Sequence, residues 1–221
     1  LKLVNSSFYG FSKNCSSIPH AAVLLGVKTI TTLVSTSWVS TLIAKSLPGL
    51  YEHSLACARA CHFLSKNLGL EEPEELSATG LLHDVGKMVL AEYMPEPFAA
   101  VSAAVREKRM RFCDAEAQVL GVTHAEIGHW LLKQWNLPAA TIGPIAQHHG
   151  FVADSPYARK TAILILADVM VRAEGLGWSG DNIMPGLSHE VVELLQIEAG
   201  DLRALMDELI DQMYDIPRGQ G

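Results

Sequence analysis

Helix punctuation recurs along the whole 221-residue chain and constrains its fold more than any other feature. Apolar segments are opened by Ser, Thr, Asp or Pro and closed by Gly, whereas little of the sequence alternates apolar and polar residues as a half-buried strand does. Thr123-His-Ala-Glu126, for example, is a capping box that places His124 in the first turn of a helix running to Trp135. The pattern predicts an all-α chain with a seam at Pro48-Gly49.

The predicted helices are joined by short turns. They cover, approximately, residues 17–26, 27–47, 50–68, 71–94, 97–111, 114–121, 123–135, 138–149, 157–174, 188–196 and 199–214. We expect the fourth helix to run on through His83-Asp84, the sixth to be capped by Asp114, and the eighth to be interrupted at Gly143-Pro144.

Composition excludes several classes of protein. Hydrophobic residues make up 49% of the chain and charged residues 19%, a balance that disordered proteins lack. With 17 Lys and Arg against 24 Asp and Glu, the net charge is −7, so the cationic surface that nucleic acids and acidic membranes attract is missing overall. The longest uncharged apolar stretch, between Lys28 and Lys45, is too short and too rich in Ser and Thr to span a bilayer. We expect a globular protein that binds neither nucleic acid nor membrane.

The cysteines favour a reducing compartment. Cys15, Cys57, Cys61 and Cys113 form no Cys-x-x-Cys pair, and the sequence shows no signal peptide, which together predict a cytoplasmic location. Cys57 and Cys61 are four residues apart and can share one helix face. Because small buried thiols are common in protein cores, we favour packing over a metal or redox role for this pair.

Asp168 is the most informative polar residue, because it lies within the apolar segment Thr161–Val171. A helix that is apolar on nearly every side is buried, and an unpaired carboxylate there would cost several kcal/mol. Arg172, one helical turn on, could form an ion pair with it. The alternative is a cation that several ligands hold.

Other inward-facing polar residues support the cation. Lys87 lies four residues after His83 and three after Asp84, so the three side chains can lean toward one point. His53 shares a helix face with apolar residues, although a lone inward histidine is more often a hydrogen-bonded core residue. Two imidazoles and two carboxylates are then available as metal ligands, from His53, His83, Asp84 and Asp168. This combination suits Zn, Mn, Fe, Co or Ni.

Three further histidines lie at the ends of predicted helices. His124 stands at a helix N-terminus, where the dipole should lower its proton affinity and keep it neutral, as a metal ligand must be. His148 and His149 stand at a helix C-terminus, where the partial negative charge favours a nearby cation. The remaining histidines are expected at the surface or at helix ends: His20, His62, His129 and His189.

Several motifs in order give the chain a family resemblance. They are Leu-Val-Asn-Ser-Ser-Phe-Tyr-Gly (3–10), His53-Ser54, Gly-Leu-Leu-His-Asp-Val-Gly-Lys (80–87), Thr-His-Ala-Glu-Ile-Gly-His-Trp-Leu-Leu (123–132), His148-His149 and Leu166-Ala-Asp168. They resemble the HDOD family, the HD-related output domain of bacterial signalling proteins, within the HD-domain metal-dependent phosphohydrolase superfamily. The resemblance implies a smaller N-terminal helical part over residues 1–48 and an HD-like helical bundle over residues 49–221.

The resemblance also implies roles for individual residues. Carried over to this sequence, the metal ligands are His53, His83, Asp84 and Asp168, and the second-metal ligands are His124, His148 and His149, with Asp84 bridging. Lys87 corresponds to a phosphate-contacting lysine, so Asp84 and Lys87 are the candidate catalytic residues. The cyclic-dinucleotide phosphodiesterase branch has a Gly-Tyr-Pro motif where this chain has Gly150-Phe-Val, which disfavours cyclic-di-GMP hydrolysis.

Three functions follow as hypotheses. The first is a cytoplasmic signal-transduction output module of a response-regulator-type protein, binding one or two divalent transition-metal ions and joined to an upstream receiver or sensory domain. The second is an active metal-dependent phosphohydrolase acting on a phosphomonoester, phosphodiester or nucleotide. The third is a nucleic-acid or small-ligand binding module that uses the basic cluster at Arg106–Arg111. The sequence leaves open whether the chain forms a homodimer.

Overall fold

The structure is a computed structural model that describes residues 48–214, and within that range it contains α-helices and no strand. The helices are α1 (Leu50–Asn67), α2 (Pro73–Leu82), α3 (Val85–Tyr93), α4 (Pro95–Lys108), α5 (Phe112–Leu120), α6 (His124–Gln134), α7 (Ala139–Gln147), α8 (Ala158–Ala173), α9 (His189–Leu195) and α10 (Ala199–Tyr214). The all-α prediction is confirmed. The helices predicted over residues 17–26 and 27–47, and the motif at residues 3–10, lie outside the described range.

Helix α1 packs against α2, α8 and α10, while α3, α6 and α7 pack against one another in series. The largest apolar cluster joins α1 and α8 to α9 and α10, and includes Leu64, Leu164 and Val191. A second cluster joins the first turn of α1 to α3, α6 and α7 through Leu50, Val85 and similar residues. His53 lies one turn after Leu50, so its position on α1 falls between the two clusters.

Two glycines allow these helices to approach closely. A Cβ atom at Gly80 of α2 would lie 2.7 Å from the carbonyl oxygen of Cys57 on α1. One at Gly86 of α3 would collide with the backbone carbonyl of His124 on α6. Because only a glycine fits at either contact, these positions hold His83 and Asp84 against their neighbouring helices.

The single helix predicted over residues 71–94 is wrong, because the chain breaks at His83-Asp84 into α2 and α3. His83 is the C-cap of α2, and its Nδ1–H donates to the carbonyl of Gly80 over 2.7 Å. This bond satisfies a terminal carbonyl that would otherwise need the next helical N–H. The Lys87 N–H donates to the Asp84 carbonyl, which opens α3.

Two smaller predictions about helix ends are also wrong. Asp114 does not cap α5; it lies in the first turn and forms an ion pair with Arg111, the N-cap residue, at 2.8 Å. Helix α7 continues through Pro144 without interruption. Since Pro144 and its neighbours are buried, side-chain packing outweighs the single backbone hydrogen bond that proline removes.

Between residues 48 and 214, none of the helices combines the length and apolar character that a bilayer crossing requires.

Candidate metal centre

A first group of donor atoms gathers between α1, the end of α2, and α8. Its members are buried, and one ligand atom from each lies within 4.8 Å of all the others: His53, Cys57, His83 and Asp168. His53 Nε2 lies 3.1 Å from Asp168 Oδ1 and 3.6 Å from Cys57 Sγ. The group therefore contains a thiol beside the imidazoles and the carboxylate that the sequence analysis brought together.

A second group lies next to the first, between the start of α3, α6 and the end of α7. It consists of Asp84, His124, His148 and His149, whose ligand atoms also lie within 4.8 Å of one another. His124 Nε2 lies 3.1 Å from Asp84 Oδ1 and 2.9 Å from His149 Nε2. The capping box predicted at Thr123 is present and places His124 at the start of α6.

Asp84 faces both groups with different oxygens. Oδ2 lies 3.4 Å from His83 Nε2 and 3.8 Å from His53 Nε2, in the first group. Oδ1 lies 3.1 Å from His124 Nε2 and 3.9 Å from His148 Nε2, in the second. A single carboxylate is thus in position to serve ions on either side.

The imidazoles are oriented from behind by hydrogen bonds at Nδ1. His83 donates to Gly80 O, and His148, which is likewise the C-cap of its helix, donates to Ile145 O, each over 2.7 Å. His124 Nδ1 lies 2.5 Å from a carboxylate oxygen of Glu116. In the neutral form of each ring, the proton is on Nδ1 and the Nε2 lone pair points to the centre, which is the tautomer a metal ligand needs.

Glu116 was missed by the sequence analysis. It is fully buried on α5, and the same oxygen accepts the backbone N–H of His124 over 2.9 Å. The sequence signal was weaker than for Asp168, because Glu116 lies between Ala115 and Ala117 in a helix that also contains Asp114 and Gln118. The argument that a buried carboxylate needs a partner applies equally to both.

Lys87 and Arg172 each place a positively charged side chain beside a carboxylate of the centre. The buried Lys87 Nζ lies 2.8 Å from Asp84 Oδ2 and donates to the carbonyl of Ser179. Arg172 Nη1 lies 3.5 Å from Asp168 Oδ2. Asp168 therefore has the guanidinium beside one oxygen, and the His53 imidazole of the first donor group beside the other.

Burial and neighbouring charges shift the pKa values of the histidines in the second group. Burial and the Lys87 ammonium lower the pKa of His124, but the carboxylates of Glu116 and Asp84 outweigh them and the net pKa is raised. These carboxylates thus act against the lowering of the His124 pKa that the helix dipole was expected to produce. Burial lowers the pKa of His148 to about 3, with help from the neighbouring His83 and His124.

Several buried atoms at the centre lack a hydrogen bond. They are Asp84 Oδ1, Asp168 Oδ1 and His148 Nε2. In addition, His124 Nε2 and His149 Nε2 face each other at 2.9 Å although Glu116 already takes the Nδ1 proton of His124. Unsatisfied buried acceptors are costly unless a cation joins them. The donor set of imidazole, carboxylate and thiol fits a transition-metal ion.

The structure brings together all seven predicted ligands and Lys87, whereas the remaining described histidines lie apart. His189 is exposed, and His62 and His129 are half-buried outside both groups. His20 lies outside the described residues.

An all-helical bundle with a His-Asp pair between two helices, joined by a histidine and an aspartate from two more, is the arrangement of the HD class of proteins. The family model of the HDOD domain matches residues 1–151, and the chain belongs to this family.

Solved structures support the same fold. An HDOD domain protein of unknown function from Geobacter sulfurreducens is 26% identical with a TM-score of 0.75, covering 96% of this chain and 76% of that one. A protein from Shewanella amazonensis SB2B, described as a candidate phosphohydrolase, is 26% identical with a TM-score of 0.67, covering 93% and 76%. A candidate signal transduction protein from Marinobacter aquaeolei VT8 shares the fold at 19% identity and a TM-score of 0.74, covering 96% and 48%.

The chain also resembles a curated protein of Treponema pallidum (strain Nichols) that is described as uncharacterized. The two are 26% identical over 180 residues, which are 78% of this chain and 34% of the relative. The chain thus spans about a third of that relative's length.

Proposed function

We propose that the chain is a signal-transduction output module whose helical bundle binds one or two divalent transition-metal ions. The observation that carries the metal is the convergence of two donor groups on Asp84, with Nδ1 of three imidazoles already fixed by hydrogen bonds. Such outer hydrogen bonds orient metal-binding histidines in general. Zn, Mn, Fe, Co and Ni all suit this donor set.

The signalling role rests on family membership and on the fold shared with a candidate signal transduction protein. Residues 1–48 form the N-terminal helical part in this proposal, and residues 49–221 form the HD-like bundle. An upstream receiver or sensory domain of a longer cytoplasmic protein supplies the input. The short span of the Treponema pallidum relative that the chain covers agrees with a module of a larger protein.

Elemental analysis of the purified protein tests the metal. We expect at least one equivalent of a transition metal, lost in His83→Ala and retained in the control His189→Ala, since His189 is exposed. At a free ion concentration a thousand times the Kd, binding should raise the free energy of unfolding by about 4 kcal/mol, so a chelator should lower it by that amount. A protein that takes up no transition metal, and whose stability a chelator leaves unchanged, contradicts the proposal.

A second candidate function is phosphohydrolysis, which the position of Lys87 favours. Its ammonium uses two donors on Asp84 and Ser179, and the third can face a phosphate oxygen. A bound metal would supply Lewis-acid stabilisation of the charge that develops on phosphate oxygens. Asp84 would position the ion, and Lys87 would neutralise charge on the substrate.

A substrate screen separates the two functions. Metal-loaded protein is tested with generic phosphomonoesters, phosphodiesters and nucleotides, beside Lys87→Met and the exposed-lysine control Lys133→Met. An enzyme should lose at least about tenfold in kcat in Lys87→Met, with its metal content unchanged. If the loaded wild type hydrolyses none of these substrates, only the output module remains.

A further inference from the structure

Cys57 lies inside the first donor group and has no part in the family pattern. We infer that Cys57 binds the ion of this group as a thiolate, completing a ligand set with His53, His83 and Asp168. This inference rests on the proposed metal binding and deepens it. A thiolate favours zinc, cobalt(II) or iron(II) over manganese and magnesium, so Cys57 determines which ion the first group selects.

The geometry of α1 places the sulfur at the centre. Cys57 follows His53 by one helical turn, so both side chains project from the same face. The side chain is fully buried, and its sulfur lies 3.6 Å from His53 Nε2, the atom that faces the group. All four ligand atoms lie within 4.8 Å of one another, close enough to bind one ion together, and Asp84 Oδ2 faces the same group.

Asp168 supplies a second, independent observation. Its side chain is 9% exposed, and Oδ1 points at His53 without a hydrogen bond although Arg172 pairs with the other oxygen. An ion bound to Asp168 Oδ1 and Cys57 Sγ would give this carboxylate oxygen the partner that it lacks. A thiol that merely donated a hydrogen bond to His53 would leave the aspartate oxygen unsatisfied.

Cys61 shows how specific the position is. It lies one turn further along α1 and is equally buried, but its sulfur packs against Gly80 and is not among the four donors. The close contact at Gly80 fixes the backbone of Cys57 beside α2 and so sets the distance from the sulfur to His83. Cys61 is therefore a matched control.

Binding at Cys57 is proton-coupled. The S–H bond breaks, a sulfur–metal bond forms, and the proton passes to the buffer. The thiolate and the Asp168 carboxylate together carry two negative charges, which a divalent ion offsets without any oxidant or reductant.

Cobalt(II) titration of the metal-free protein tests the inference through its absorption spectrum. We expect a thiolate-to-cobalt charge-transfer band in the near ultraviolet for the wild type and for Cys61→Ser. Cys57→Ser should lack this band, keep the visible bands of bound cobalt, and bind cobalt at least about tenfold more weakly, as loss even of an outer-shell partner costs.

The outcomes separate the two levels of the proposal. Cobalt that binds to the wild type without the band, or a band that survives in Cys57→Ser, overturns the role of Cys57 and leaves metal binding intact. Failure of cobalt and zinc to bind at all overturns both. Should Cys57→Ser fail to fold, X-ray absorption of the zinc-loaded wild type decides, because a thiolate ligand gives a sulfur shell at about 2.3 Å and its absence refutes the inference.

Discussion

The two donor groups of the centre differ in what holds them. The first group carries a thiol and a carboxylate whose other oxygen is paired with Arg172. The second carries three imidazoles and the shared carboxylate of Asp84, and further negative charge comes from Glu116, which lies on the Nδ1 side of His124. The first group therefore contains its own thiol and carboxylate donors, whereas the second also depends on a carboxylate that lies outside it, that of Glu116.

This difference decides how each group responds to change. Three clustered imidazoles repel one another once protonated, and burial already lowers the pKa of His148 and His149. Each group contains one carboxylate, but the first has only two imidazoles. We therefore expect the second group to be the more sensitive to acid and to lost backbone support, and three experiments test that comparison.

Gly86→Ala should have the largest effect, because it separates Asp84 from the second group. The added Cβ would collide with the backbone carbonyl of His124, which cannot move without displacing α6. We expect a loss of about 3 kcal/mol in the free energy of unfolding, measured by urea denaturation. Gly150→Ala is the control, since nothing lies within 4 Å of its Cβ position. Equal stability of the two variants would show that the close contact is unimportant.

Glu116→Ala should come next and weaken the second group alone. It leaves the backbone N–H and the Nδ1–H of His124 buried without an acceptor, which should cost about 2 kcal/mol. Loss of this outer carboxylate should also weaken metal binding there by roughly 10- to 100-fold. Both quantities follow from denaturation and metal titration.

Glu126→Ala is the matched control for this experiment. Glu126 bonds to Thr123 in the exposed capping box of the same helix, so its loss should cost about 1 kcal/mol or less and leave metal affinity unchanged. If the two glutamate variants bind metal equally well, Glu116 does not support the centre.

Local signals in the sequence predicted much of the fold. Caps such as Thr123 and Ser188 act within one turn, so the starts of α6 and α9 could be placed from neighbouring residues alone. Apolar surroundings marked Asp168 as buried for a similar reason, because the segment Thr161–Val171 around it is apolar. Predictions that needed only nearby residues therefore succeeded most often.

Features that depend on contact between distant segments could not be predicted. The break at His83-Asp84 depends on the His83 side chain, which caps α2. It also depends on Gly80 and Gly86, which let α1 and α6 pack closely on either side of the break. The partnership of Glu116 with His124 depends on how α5 packs beside α6. The position of Cys57 beside His83 depends on the approach of α2. Spacing along the chain contains none of these distances.

Acid sensitivity gives the most selective effect, and the smallest one at neutral pH. Burial holds the pKa of His148 at about 3 in the folded protein, whereas an unfolded histidine titrates near pH 6.5. Between these values the unfolded chain binds the proton and the folded chain does not, so stability falls as pH falls. In metal-free protein, His148→Gln should reduce the slope of unfolding free energy against pH by as much as about 1.4 kcal/mol per pH unit. The exposed-histidine variant His189→Gln is the control and should keep the wild-type slope; an unchanged slope in His148→Gln as well would mean that the second group is no more acid-sensitive than the first.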